Sequence, residues 1–395
     1  MRNNFMFTSE SVTPGHPDKL CDQISDAIVD RLLQQDPLAR VIAECAVSTG
    51  VLFLSVRFDP NAAVDFTQVA RRVIDRVGYR QRHFNSKSCT ILTSLEELSD
   101  SRHNRLDIEQ LSDAKIEAIP AKDQATVFGF ACNQTPQLMP LPIVMAHQLA
   151  RYLDADRQQA LPYLNPDGKT QVGIEYRDRQ PKRIHSVTII ASQAKSIPIS
   201  LEQLRQDVRE QVVFPAFAHQ SIQPDEDTRI FINPEGPVIS GGPSIHDGLT
   251  GRKNGIDTCS EYAKHSSAAL SGKDPLRIDR VGAYVARYAA KNVVAAGLAE
   301  ECEVQLSYTI GLSHPVSIQV EAFDTEQIPE EEIVRRLEQH FDFRPAGIIQ
   351  KFGLKQIPSR SKDGFYQKLA VYGHMGRTDL ELPWEQTDKV SVLQQ

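Results

Sequence analysis

Within FTSESVTPGHPDKLCDQISDAI, from Phe7 to Ile28, a Gly-Pro turn carries His16, Asp18 and Lys19 straight into a helix. A base, a metal-binding carboxylate and a cation therefore fall within four residues. Asp18 is equally placed to serve as an N-cap or first-turn carboxylate, a common structural role. Two later segments set cations beside glycines. LTGRKNGID carries Arg252, Lys253 and Asp257, and SGKDPLRIDR carries Lys273, Asp274, Arg277, Asp279 and Arg280. Gly251 and Gly272 would let the backbone approach a phosphate closely, although alternating Lys/Arg and Asp also describes a solvated helix start. SGKD is not a Walker A loop. Ser267 stands where the first glycine of that pattern belongs, and Asp274 where Ser or Thr would bind magnesium. LNPDGKTQ adds Asp167 and Lys169 on what reads as a type I turn.

The elements that must hold these residues are partly legible. Leu20, Ile24, Ile28 and Leu32 recur every fourth position and predict one apolar helix face, ended by Asp36-Pro37. Val41, Ala43, Cys45 and Val47 alternate, as do Leu52, Leu54, Val56 and Phe58. Ser48-Thr49-Gly50 between them predicts a hairpin. Phe66, Val69, Val73 and Val77 predict a second helix. Residues 99–124 are polar with little periodicity and read as a mobile loop. Further helices are expected over 145–153, 201–213, 281–296 and 330–341, and strands over 185–191, 303–310 and 317–323. Strands and helices mix without strict βαβ alternation, which favours an α+β fold.

Composition narrows the classes further. The 395 residues suit two or three domains. A net charge of -7 excludes the basic footprint of a general nucleic-acid binder. No apolar run reaches the length of a membrane span, and no long apolar segment near the N-terminus suggests a signal peptide. The six cysteines, at 21, 45, 89, 132, 259 and 302, include no CxxC pair. They read as reduced thiols of a cytoplasmic protein.

The Phe7–Ile28 segment resembles the N-terminal signature of S-adenosylmethionine synthetases. PDGKTQ, FINPEG, GLTGRK, SGKDP, IDR, VARYAAKNVVAAGLA, YGHMGR and PWEQTDK extend the resemblance, in family order, from about Phe7 to Lys389. It implies three similar α+β domains with pseudo-threefold symmetry, expected here over 1–105, 119–233 and 234–395. It also implies a homodimer, or dimer of dimers, with active sites between subunits. The implied reaction is attack of the methionine sulfur on C5′ of ATP, with the released triphosphate cleaved to pyrophosphate and phosphate. Cations and magnesium aimed at that leaving group are the physical device such a reaction needs. The resemblance assigns His16 to the departing oxygen and Lys169, Arg252, Lys253 and Lys273 to the triphosphate. It assigns Asp18 and Asp279 to Mg2+, and Glu44 to K+. Asp167, Val238, His246, Ala269 and Arg277 fall in the ATP site, and Arg57, Leu98, Asp123, His246 and Arg277 in the substrate site.

Several of these positions depart from the family pattern. Arg57 and Leu98 replace a Glu and a Gln, His246 replaces an Asp, and Val238 an aromatic residue. Ser266, Ser267 and Ala268 replace glycines, and Arg277 a Lys. Arg57 would repel an ammonium group and attract a carboxylate, so adenosyl transfer to an acidic sulfur nucleophile stands beside methionine as a reading. A silent homologue acting as a structural or regulatory partner is the third, opposed by the retained His16, Asp18, Lys169, Arg252, Lys253, Lys273 and Asp279.

Overall fold

A computed structural model describes residues 4–61, 63–98 and 107–395. Twelve strands and seven helices of eight or more residues account for most of the described regular structure. The strands are β1 (Phe5–Val12), β2 (Val41–Ser48), β3 (Val51–Phe58), β4 (Thr90–Glu97), β5 (Ala125–Cys132), β6 (Leu164–Arg177), β7 (Gln180–Gln193), β8 (Arg229–Ile232), β9 (Val238–Ile239), β10 (Gly248–Leu249), β11 (Glu301–Tyr308) and β12 (Ser317–Glu321). The helices are α1 (Pro17–Gln35), α2 (Phe66–Val77), α3 (Leu141–Arg157), α4 (Leu201–Val208), α5 (Ile278–Ala295), α6 (Glu330–His340) and α7 (Pro345–Phe352). The fold is α+β.

The strands form three sheets, each backed by helices. α1 lies on β2 with α2 beside it, α3 lies on β1 and β6, and α5 lies on β5 and β11 with α6 against β12. The strand orders are β10-β2-β3-β4, β1-β6-β7-β8 with β9 joined to β7, and β12-β11-β5. Each sheet borrows one strand from a distant part of the chain. β1 pairs antiparallel with β6, β5 with β11, and β10 with β2. The N-terminal stretch thus lends a strand to the central sheet, the central stretch to the C-terminal sheet, and the C-terminal stretch to the N-terminal one. The loops leaving β1 and β10 are brought together by this exchange.

The predicted hairpin is present, with Val41 opposite Phe58 and Ser48 opposite Val51. Alternation works there because Val41, Ala43, Cys45 and Val47 all face the buried side, where α1 packs. α1 has the predicted apolar row, with Leu20, Ile24, Ile28 and Leu32 fully buried. The expected helix over 201–213 is α4 running on through a π-helical turn, Arg209–Val213.

Two expectations change. Asn165–Gly168, read as a free turn, lies inside β6, where the register with β7 shifts between Leu164 and Gly168. The turn residues make a bulge in a long strand because β1 and β7 pair on either side of it. Of the expected 99–124 loop, residues 99–106 lie outside the described residues. The described part is docked: Ile108 and Ile116 are buried. Gln350 of α7 also donates to the carbonyls of Ile108 and Leu111 at 3.0 and 3.1 Å.

Candidate active site

Most of the predicted residues lie in or beside two clefts. The first opens where β1 ends. Val12 pairs with Lys169, and Thr13 Oγ1 takes the Gly168 N–H at 2.8 Å while donating to the Pro166 carbonyl at 2.6 Å. This stitching holds the His16 turn against the Asp167–Lys169 bulge. The Tyr79 hydroxyl donates to the Gly15 carbonyl and supports the turn from α2's C-terminal end. Asp167 Oδ2 accepts the Gly242 N–H at 2.7 Å, while its buried Oδ1 has no hydrogen-bond partner among the described residues. Asp167, Lys169, Val238 and His246 line a cleft of about 390 Å³.

His16 caps α1: its Nδ1 accepts the Asp18 N–H at 3.3 Å. The ring proton therefore belongs on Nε2. Burial, then Lys169, Lys253, His246 and Lys19, press the His16 pKa down to about 2, so the ring is a neutral N–H donor. His246 lies nearly parallel to it, ring centroids 6.4 Å apart. Asp18 Oδ1 accepts from the Leu249 N–H at 3.0 Å and from Arg252 Nε at 2.8 Å. Lys253 Nζ meets Glu10 Oε1 at 2.7 Å. A neutral donor, cations and carboxylates thus lie together beside the cleft that Lys169 and His246 line.

The second cleft, of about 230 Å³, is lined by Ile42, Glu44, Ser55, Arg57, Asp123, Lys273, Arg277 and Asp279. Lys273 is bridged to Ile42 at the start of β2, and its Nζ meets Asp279 Oδ2 at 2.8 Å. Arg57 Nε donates to Glu96 Oε2 at 2.9 Å across the β3–β4 pair. Leu98 lines a neighbouring recess of about 220 Å³ together with Arg277. Ala269 packs beside Gly251, where an added Cβ would overlap its own.

One chain therefore does not bring Lys273 and Asp279 to the cleft of His16 and Asp18. β10 meets β2 at Ala46 and Val47, whereas Lys273 meets it at Ile42. The two contacts on β2 are four to five residues apart, roughly 14–17 Å along that strand at ~3.4 Å per residue. Nor are Asp18, Asp279 and Glu44 gathered: among the described residues no three His, Cys, Asp or Glu side chains form a metal-binding group.

Behind both clefts runs a row of buried carboxylates of which the motif reading singled out only the first, Asp18. Asp18, Asp22, Asp26 and Asp30 recur every fourth residue of α1 and are at most 2% exposed. Asp22 Oδ1 accepts the Gly251 N–H at 2.7 Å and Asp26 Oδ1 the Gly272 N–H at 2.8 Å. Their other oxygens meet Lys19 at 2.9 Å and Arg280 at 2.7 Å. Burial opposes the charge on Lys19, yet Asp22 and Asp257 hold its pKa above the usual lysine value. The spacing was visible in PDKLCDQISDAIVD.

Comparison with known proteins covers nearly the whole chain. Residues 4–100, 118–238 and 240–386 match the N-terminal, central and C-terminal domains described for S-adenosylmethionine synthetase. The chain is 47% identical over 408 residues to the S-adenosylmethionine synthase of Acaryochloris marina (strain MBIC 11017), covering 100% of this chain and 98% of that one. It is 46% identical over 409 residues to that of Trichodesmium erythraeum (strain IMS101), with 100% and 97% covered. With that of Synechococcus sp. (strain JA-2-3B'a(2-13)) the identity is 46% over 403 residues, with 99% and 97% covered.

Proposed function

The chain belongs to the S-adenosylmethionine synthetase family, and from that premise we propose that it transfers the adenosyl group of ATP to the sulfur of methionine. A sulfur lone pair forms the S–C5′ bond as the C5′–O5′ bond breaks and its electrons pass to the triphosphate. Water then cleaves the triphosphate to pyrophosphate and phosphate. The observation that carries this reading is the clustering of His16, Asp18, Arg252 and Lys253 beside the cleft lined by Asp167, Lys169 and His246. Cations fixed before the reaction stabilise a developing polyanion without reorganising. The neutral Nε2–H of His16 suits a donor to the departing oxygen.

The donor set also fits a hard cation. Magnesium is commonly held by one or two carboxylates together with substrate phosphates, so Asp18 of one copy and Asp279 of a second would be its protein ligands. Bound there, Mg2+ would neutralise triphosphate charge. Glu44, exposed on the sheet's outer face, would be the carboxylate that holds K+.

Because the two clefts of one chain stand apart, we infer that a second copy supplies the Lys273–Asp279 group to the His16 cleft. The outer face of the N-terminal sheet supports this. Leu249, Ala46, Phe53 and Leu92 form one row across its four strands, and Leu249, Phe53 and Leu92 are 45–52% exposed. A contiguous exposed apolar row of this kind marks an interaction surface. The acidic-nucleophile reading loses ground because Glu96 already neutralises Arg57. No helix among the described residues is long and apolar enough to cross a membrane, and all six cysteines are free and buried, which supports a cytoplasmic site of action.

The test is incubation of the full chain with ATP, magnesium and potassium, with and without methionine, resolved by mass spectrometry. S-adenosylmethionine with phosphate and pyrophosphate is expected only when methionine is present. Unchanged ATP and methionine would overturn the reading.

A further inference from the structure

We propose that Asp22 and Asp26 are positioning residues for adenosyl transfer: through Gly251 and Gly272 they fix the two turns that present Arg252–Lys253 and Lys273. This rests on the triphosphate reading of those cations. Each carboxylate is fully buried, divided between one counter-cation and one loop N–H. Burying an ion pair is costly, and an apolar pair of similar volume would serve a core as well or better. What an apolar pair could not supply is a charge-assisted hydrogen bond to the loop backbone.

The two glycines are the residues immediately before the cations, and both lie in the left-handed region, at φ 77° and 80°. A Cβ at Gly251 would overlap Ala269, and one at Gly272 the Ala43 carbonyl. Each turn is thus held from one side by close packing and from the other by a carboxylate of α1. Ser25 adds a contact between them, its Oγ 2.8 Å from Thr250 Oγ1. Arg280, paired with Asp26, also donates to the Lys273 carbonyl at 2.7 Å. Four residues of helix rise ~6 Å, so a single rigid element sets the spacing between the two cationic turns. A misplacement of ~1 Å in such groups can cost ~100-fold in rate.

Asp30 provides the internal control. It continues the same row and is equally buried, but its oxygens take the N–H groups of Tyr366 and Gln367 at 2.9 and 3.0 Å, away from both cationic turns.

The experiment compares Asp22→Asn, Asp26→Asn and Asp30→Asn in the full chain, measuring Tm, kcat and both KM values. The first two should lower kcat/KM for ATP by about 10–100-fold while the KM for methionine moves less than about twofold. Asp30→Asn should lower Tm and leave kcat and both KM values as in the wild type. Asp22→Asn should also cost far less in a Lys253→Met background than alone, because both act through one turn. Equal kinetic losses in all three variants, scaling with folded fraction, would overturn the proposal. Should Asp26→Asn fail to fold, the Asp22–Lys253 cycle decides, and full additivity there overturns it. Full activity in Lys253→Met would instead sink the triphosphate reading. An inactive Lys253→Met beside a fully active Asp22→Asn would sink the positioning role alone.

Discussion

The cations of the His16 cleft are not equivalent. Arg252 is tied to Asp18 and Lys253 to Glu10, whereas Lys169 lines the cleft without an ion-pair partner among the described residues. Lys169 is thus the cation with least to give up when a polyanion arrives. Lys169→Met should lower kcat by about 10²–10³-fold, as loss of a preorganised charge contact does, while shifting Tm little because no partner is orphaned. Steady-state kinetics beside a thermal melt checks this, and unchanged kcat would remove Lys169 from the reacting charge. At this scale type and neighbours made His16, Asp18, Lys169, Arg252 and Lys253 candidates, while the roles proposed for them came from the family resemblance. Hidden from it were the tautomer of His16, set by a backbone N–H, and the Arg57–Glu96 pair, set by the parallel register of β3 with β4.

Helix α1 was legible as an amphipathic helix, but its acidic row was not legible as structure. Charges every fourth residue ordinarily face water. Only the loops folded back from about 230 residues away reveal that this face is buried. The row has a pH signature. Burial raises the Asp30 pKa to about 7 against the opposing N–H groups of Gln367, Tyr366 and Phe365. The folded chain therefore keeps a proton that the unfolded chain releases near pH 4. Its stabilisation is full below pH 4 and is lost as pH rises toward 7, on the order of 4 kcal/mol for a shift of ~3 pKa units. Urea unfolding at pH 4.5 and 7.5 should show a steeper decline with pH in the wild type than in Asp30→Asn. Parallel slopes would refute it. Gly272→Ala tests the turn itself: left-handed φ and overlap with Ala43 together should cost roughly 3 kcal/mol, read as a fall in Tm with weakened ATP use. A variant as stable and active as the wild type would show that the turn relaxes freely.

The three sheets trade strands in a cycle, which a reading of contiguous segments could not foresee. Short-range alternation finds a strand; it cannot say which distant strand is its neighbour, and β10, at two residues, has no pattern to find. β6 was missed for the opposite reason, because a strong local turn signal, Asn-Pro-Asp-Gly, was overridden by pairing on both edges. The exposed row on the N-terminal sheet belongs to this scale too. Phe53→Asp should turn a self-associated species into monomers at micromolar concentration, with loss of activity. Light scattering that finds the wild-type mass in the variant would argue against that face as the contact.

The separation of the two clefts has a genetic consequence. If each working site draws one cleft from each copy, chains carrying Lys169→Met and chains carrying Lys273→Ala, both inactive alone, should complement when co-expressed. A mixed pair concentrates both lesions in one site and leaves the other intact. Random pairing would then restore about a quarter of wild-type activity, from two alleles that each encode a dead enzyme.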